Sequence, residues 1–392
     1  MICAASLLAI VVYSALVGVA LGNGERFVNS HFLFWGWARF IHVVTPSSRI
    51  YDPRALMRFE RGLPGAHPEN LPFAYPPTLL LVIWPLGLIP AVPGWLAWIA
   101  LSVGAFVWAT WHCPAPYRAS DLTYGRGVLV ALILPSTLAA VYYAETSLFI
   151  AALMIGGCRL LDRRPVLAGV LFGLAAIKPQ FGVLIPLALL AAHKWSSIVA
   201  ACATVLAAGL ASGMVFGWAC WADLPHALAH VSRLVADQAQ VSGFSPTIAA
   251  GLRQLSAPPP VVDGGQALVT VAAAAVVWMT FRYRGGTIAT ASLLVCALLA
   301  TPYAFFYDLP LASYAALALL QERKRPEDPF APAEGIVLML TLALPLLILF
   351  NPLHVPWGAI VLPLLLGLIV HKAKLLPIRR NSGATRSLST SG

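Results

Sequence analysis

Residues 162–195 read DRRPVLAGVLFGLAAIKPQFGVLIPLALLAAHKW. Two apolar runs, 165–177 and 179–192, meet at Lys178-Pro179, with Arg163-Arg164 before the first and Lys194 after the second. Lys and Arg gather in the cytoplasmic loops of membrane proteins. The flanks therefore predict a helical hairpin that enters a bilayer from the cytoplasm and turns at Lys178. The runs are short. The 13 residues of 165–177 cover about 20 Å at about 1.5 Å each, against roughly 30 Å of hydrocarbon. Short segments broken by proline are the pattern of half-helices around a cavity.

The rest of the 392 residues extends this pattern. Hydrophobic residues make up 59% and charged residues 10%, where a soluble domain carries about 45–50% and about 25%. Mean hydropathy is +0.81. These values exclude an ordinary soluble protein, a disordered chain and a disulfide scaffold. Further apolar runs fall at about 2–21, 74–90, 95–111, 127–143, 146–161, 196–217, 264–281, 287–303, 309–320, 334–350 and 355–371, making 13 in all. Irregular backbone facing lipid is too costly to persist. An all-α, polytopic integral membrane protein with about 11–13 transmembrane or re-entrant helices is expected from these runs. Residues 1–376 read as one membrane unit and 377–392 as a disordered, basic cytoplasmic tail. The first run lacks a basic leader and an A-x-A site, so it reads as a retained helix.

The formal net charge is +10, from 25 Lys+Arg against 15 Asp+Glu. The basic residues lie between apolar runs and no base-reading motif accompanies them, so nucleic acid is not an expected partner. None of the six cysteines forms a C-x-x-C pair, and they read as small apolar residues. His226 and His230 are four apart, but no Glu follows the first and no third ligand is evident, so an interfacial helix is the better reading. No metal site and no cofactor is expected.

Arg159/Arg163/Arg164, Lys194, Arg282/Arg284, Arg323–Arg325 and the tail belong on the cytoplasmic side. Alternation then puts the 218–265 loop, Asp308 and Asn351 outside. The first polar loop, 22–72, carries six arginines, and simple alternation would place it inside. The segment 72–112 holds Pro72, Pro76, Pro77, Pro85, Pro90 and Pro93, so one of its two runs is taken not to cross fully, which moves the first loop outside. In that loop FLFWGWARFIHVV, Phe32 to Val44, reads as an aromatic amphipathic helix lying at the interface.

Charges inside a bilayer are functional candidates. Lys178 either snorkels to an interface or pairs with a phosphate, and Pro179 starts a helix whose N-terminus also favours an anion. Glu145, in VYYAETSLF, is a helix-start carboxylate or an acid–base group that also meets sugar hydroxyls. Asp308, in TPYAFFYDLP, follows aromatic rings of the kind that suit a sugar, although interfacial packing uses the same residues. Asp52, in RIYDPRALMRFERG, is a carboxylate before proline, which is also an ordinary helix-start signal. Its neighbours Arg49, Arg54 and Arg58 clamp a phosphate or hold anionic head groups.

The order FWGWARF, IYDP, FAYPPTLLLVIWPLGLIP, ETSLFIAALMIGG, then the 162–195 stretch, then TPYAFFYDLPLA resembles bacterial glycosyltransferase family 87, over residues 29–320. Each motif is weak alone and the order is specific. The resemblance implies a GT-C type membrane enzyme. Its expected donor is a polyprenyl phosphate monosaccharide, without a nucleotide sugar, and the transfer inverts, to a glycolipid or glycan acceptor on the extracytoplasmic face of the bacterial inner membrane. Family members include mannosyl- and arabinofuranosyltransferases. A first-loop carboxylate would act as the base. Here Val28-Asn29-Ser30-His31 offers no carboxylate where the family often has Asp, and Ala144-Glu145-Thr146 stands where it often has Gly-Gln-Asn. The base then falls to Asp52 or Glu145, with His31 as a further stand-in. Lys178, Arg49 and Arg54 would hold the donor phosphate, Tyr307 and Asp308 would line the sugar site, and the intact IYDP and IKPQ motifs add Tyr51 and Gln180. The rival readings are a lipid or sugar transporter or flippase, which broken helices also fit, and an inactive relative that binds a polyprenyl lipid or a partner protein. The first-loop helix with IYDP and the lack of an internal repeat speak against the transporter.

Overall fold

The computed structural model describes residues 32–63, 72–111, 131–237, 243–321 and 332–375. The first apolar run, His31, Arg323–Arg325 and the tail 377–392 lie outside the described residues. Among those described there are 17 α-helices and no strand. The protein is an all-α polytopic membrane protein, as its apolar pattern predicts. In chain order the helices are α1 Leu33–Val43, α2 Pro53–Arg61, α3 Thr78–Ile83, α4 Ala91–Trp111, α5 Pro135–Tyr142, α6 Ser147–Leu160, α7 Pro165–Leu174, α8 Pro179–Gly182, α9 Ile185–Ala191, α10 Trp195–Phe216, α11 Ala219–Asp237, α12 Ile248–Gln254, α13 Pro259–Tyr283, α14 Gly286–Ala300, α15 Pro310–Gln321, α16 Pro332–Leu349 and α17 Trp357–Leu375.

Proline writes many of these boundaries. Pro53, Pro135, Pro165, Pro179 and Pro259 each open a helix, at the position where a missing N–H costs nothing. Among the described residues three helices, α4, α10 and α13, are long and apolar enough to cross a membrane. The others are shorter, so the predicted runs resolve into more and smaller pieces. The 162–195 hairpin is itself three helices, α7, α8 and α9, with the break at Lys178.

At the centre stands α6, with nearly every residue buried. It packs against α4, α7, α14 and α15. Close approach of α7 to α10 depends on two glycines four residues apart. A Cβ on Gly169 would collide with the Ser197 carbonyl, and one on Gly173 would stand 2.6 Å from Thr204 Cβ. Small residues at that spacing let membrane helices touch backbone to backbone.

The segment 72–112 divides unequally. Its first run forms only α3 and a 3₁₀ turn, Trp84–Leu88, together 11 residues. At helical rises that is under about 20 Å, short of a crossing. Helix α1 docks on this turn. Trp35 Nε1 donates to the Ile89 carbonyl at 2.9 Å, Arg39 donates to Gly87 at 3.2 Å, and His42 Nε2 lies 2.9 Å from the Trp84 carbonyl. Non-helical backbone thus has its carbonyls satisfied by side chains in place of water.

The predicted aromatic amphipathic helix is present, with one face packed on protein and the other exposed. Phe34, Trp37, Ala38 and Phe40 are buried in protein, leaving Arg39, His42 and Val43 exposed. The second polar stretch, 218–265, is largely helical as well, since it contains α11 and α12. His226 and His230 both lie on α11. The 3₁₀ turn Ser47–Tyr51 of the first loop packs on α11, so the two long polar stretches meet.

Candidate functional site

The helix breaks converge. Lys178 sits between a 3₁₀ turn, Ala175–Ile177, and α8, in a backbone conformation that belongs to neither. Asp308 ends the 3₁₀ turn Phe306–Asp308, just before α15. Lys178 Nζ donates to Asp308 Oδ1 at 2.6 Å, with both side chains buried. Ser147, the first residue of α6, donates its hydroxyl to the same Oδ1 at 2.6 Å, and the Phe305 backbone N–H reaches Oδ2 at 3.0 Å. The ammonium lies 5.2 Å from the Phe181 ring centroid and 5.8 Å from that of Tyr307, positions where aromatic faces attract a cation.

Glu145 is held beside this pair by the end of α5. Ala144 adopts a left-handed conformation, φ 50°. Its N–H bonds to the Val141 carbonyl, and the Glu145 N–H reaches back to Ala140 at 3.1 Å. This is the Schellman helix ending, whose left-handed position is normally glycine. Trp98 Nε1, from α4, donates to the Ala144 carbonyl at 2.7 Å and pins the turn. The Glu145 carboxylate lies close enough to Lys178 and Asp308 to feel both charges. The Tyr75 hydroxyl is 3.4 Å from Glu145 Oε2 and 3.5 Å from the Thr146 hydroxyl. A narrow crevice adjoins Glu145, lined mainly by apolar residues of α4 and α5.

Of the residues singled out in the sequence, the structure brings together Lys178, Asp308, Tyr307 and Glu145. Tyr51 is joined to them through Tyr75, because its hydroxyl donates to the Tyr75 carbonyl at 2.8 Å. Gln180 is half-buried, two residues past Lys178. Asp52 is placed elsewhere. It is exposed and caps α2 by accepting the Arg54 N–H at 2.9 Å. Arg49 and Arg54 are exposed on the same loop. Among the described residues, no hydrogen bond or ion pair joins Asp52, Arg49 or Arg54 to the Lys178 cluster. Ser147, Tyr75 and Trp98 were not singled out in the sequence. Two of them stand inside quoted motifs, ETSLF and FAYPP. A hydroxyl directly after Glu145-Thr146, at the head of an apolar run, was the available signal for Ser147.

The model of glycosyltransferase family 87 matches residues 73–305. That span takes in Tyr75, Trp98, Glu145, Ser147 and Lys178, and ends three residues before Asp308. No curated protein and no solved structure matches the chain.

Proposed function

The chain belongs to glycosyltransferase family 87, and on that premise we propose that it moves a monosaccharide, a mannose-like hexose or a pentose, from a polyprenyl phosphate donor to a glycolipid or glycan acceptor. Transfer takes place with inversion on the extracytoplasmic face of a bacterial plasma membrane. The observation that supports this reading is the buried Lys178–Asp308 pair with Glu145 in its field. A charge inside the bilayer costs at least about 2.5–3.5 kcal/mol on insertion scales. Three ionisable groups meeting where apolar helices break point to chemistry on a charged substrate.

The reaction needs few groups. Glu145 takes the proton of the acceptor hydroxyl as that oxygen bonds to the anomeric carbon. The bond from the anomeric carbon to the phosphate oxygen breaks, and its electron pair leaves with the polyprenyl phosphate. Lys178 stabilises that developing negative charge. An ammonium has three N–H donors, so Asp308 need not use them all. Tyr307, over which the ammonium lies, offers an aromatic face to the sugar ring. Arg49 and Arg54 draw the donor's phosphate or anionic lipid head groups toward the first loop. Tyr51 acts through Tyr75, and Gln180 offers an amide at the head of α8. Between the two carboxylates, Glu145 is the better placed base, because Asp52 is occupied as an exposed helix cap.

The test is transfer in proteoliposomes from labelled polyprenyl phosphate sugars to an envelope lipid extract. The parent is expected to label a new lipid or glycan, and Glu145→Gln and Lys178→Ala, correctly inserted, to lose transfer. Parental rates from both variants would overturn the reading.

A further inference from the structure

Asp308 has more donors than an ion pair needs. Oδ2 is held by the Phe305 N–H at 3.0 Å, and Oδ1 by the Ser147 hydroxyl at 2.6 Å, before Lys178 is counted. Both other donors belong to firm elements, the turn that leads into α15 and the first residue of α6. The carboxylate is therefore anchored whether or not the lysine is present. Lys178 is the mobile member, a compact charge on a flexible four-carbon stem. If the ammonium turns away, Asp308 keeps two hydrogen bonds, which lowers the usual penalty for parting a buried pair.

At rest the pair is neutral, so an arriving phosphate meets an ammonium already matched by an oxygen at 2.6 Å. Two anionic groups then compete for one cation. We propose that Asp308 and Ser147 are positioning residues for Lys178. Asp308 is an internal anion that holds on the ammonium the place the donor phosphate takes, and returns to it when the spent carrier leaves. Ser147 sets the balance by occupying Oδ1 in the absence of the lysine. Donor affinity is thereby kept below what the buried lysine alone would give, and product release is quickened. This rests on the reading of Lys178 as the phosphate-binding cation.

The experiment measures binding of a synthetic polyprenyl monophosphate to the full-length protein in nanodiscs, alongside KM and kcat for the donor. Asp308→Asn removes the competing charge with little change of shape. It is expected to bind the monophosphate roughly tenfold tighter, the scale on which a neighbouring like charge acts, with KM and kcat both falling. Ser147→Ala leaves Oδ1 to the lysine alone and is expected to move the other way, binding the monophosphate several-fold more weakly. Lys178→Met tests the underlying reading separately and is expected to abolish binding. If Lys178→Met abolishes binding but Asp308→Asn binds no tighter than the parent, the internal-anion role is overturned and the phosphate reading stands. If Lys178→Met binds as well as the parent, the underlying reading is the one that fails. Should Asp308→Asn not fold, Ser147→Ala decides, and unchanged or tighter binding overturns the proposal.

Discussion

The Tyr51 hydroxyl donates to the Tyr75 carbonyl at 2.8 Å, and this bond ties the first loop to the residue whose own hydroxyl faces Glu145. The Tyr75 ring is set among Phe34, Trp37 and Phe73. At 3.4 Å the hydroxyl stands back from the carboxylate and has the Thr146 hydroxyl as a second partner. Charge-assisted O–H···O⁻ bonds are shorter, so the contact is poised to close when Glu145 is ionised.

Tyr75→Phe keeps the ring and deletes that donor. Loss of a donor to the ionised form makes ionisation harder. A base must be ionised to act, so the acid limb of the pH–rate profile is expected to move to higher pH. The shift is about 0.5–1 pH unit for one hydrogen bond of ordinary strength. Rates measured across pH check this. A lower rate with an unmoved limb would mean that the tyrosine only packs.

Asp52 separates a cap from a base. Asn caps a helix about as well as Asp, whereas Ala costs about 0.5–2 kcal/mol. Asp52→Asn is expected to match the parent in stability and transfer, and Asp52→Ala to lose stability alone. Thermal unfolding in detergent and the transfer assay together decide. A large loss of rate in Asp52→Asn would make Asp52 the base.

The buried pair should respond as a unit. Removing one member leaves a buried charge without its counter-ion, which costs up to about 3–5 kcal/mol, less for loss of the lysine because Ser147 and the Phe305 N–H still hold the carboxylate. Lys178→Met is expected to lower the unfolding temperature markedly. Adding Asp308→Asn to it should restore part of the loss, because the stranded carboxylate is gone. A double variant no more stable than the single would show that the two residues are not coupled.

Ala144 carries a Cβ in a conformation suited to glycine. The left-handed region costs a non-glycine residue roughly 1–2 kcal/mol, partly offset by the greater freedom of glycine in the unfolded chain. Ala144→Gly is expected to stabilise by about 0.5–1 kcal/mol, read as a higher unfolding temperature. Destabilisation would mean that the methyl group, which is buried, contributes more by packing than it costs in backbone strain.

How much of this was legible varies by residue. Lys178 and Asp308 announced themselves as charges interrupting apolar runs, but their meeting did not. They are 130 positions apart, and no local pattern fixes which broken ends converge. The Asp-Pro signal at Asp52 read as a helix start as readily as a catalytic carboxylate, and a helix start is what the structure holds there. The Glu145 turn had no glycine to mark it, since Ala144 bears the left-handed conformation. Helix α1 was legible as an aromatic amphipathic helix. That its apolar face packs on protein was not, because such a face suits lipid and protein equally well. Asp162–Trp195 gave the hairpin and its break, since proline and charge both act locally.

Helices α4 and α6 run side by side and are level at one end only. Arg159, late in α6, donates to the Thr110 carbonyl at 2.9 Å, near the end of α4. At the other end the Glu145 turn is pinned to Trp98, seven residues after α4 begins at Ala91. At about 1.5 Å per residue, the floor carrying Glu145 is recessed by about 10 Å below the rim of its long neighbour. On the function proposed above, a carrier lipid would keep its chain beside α4 and bend only its head inward over that rim. On that reading the height of the step, more than the shape of any one side chain, would limit how long a polar head can reach Glu145.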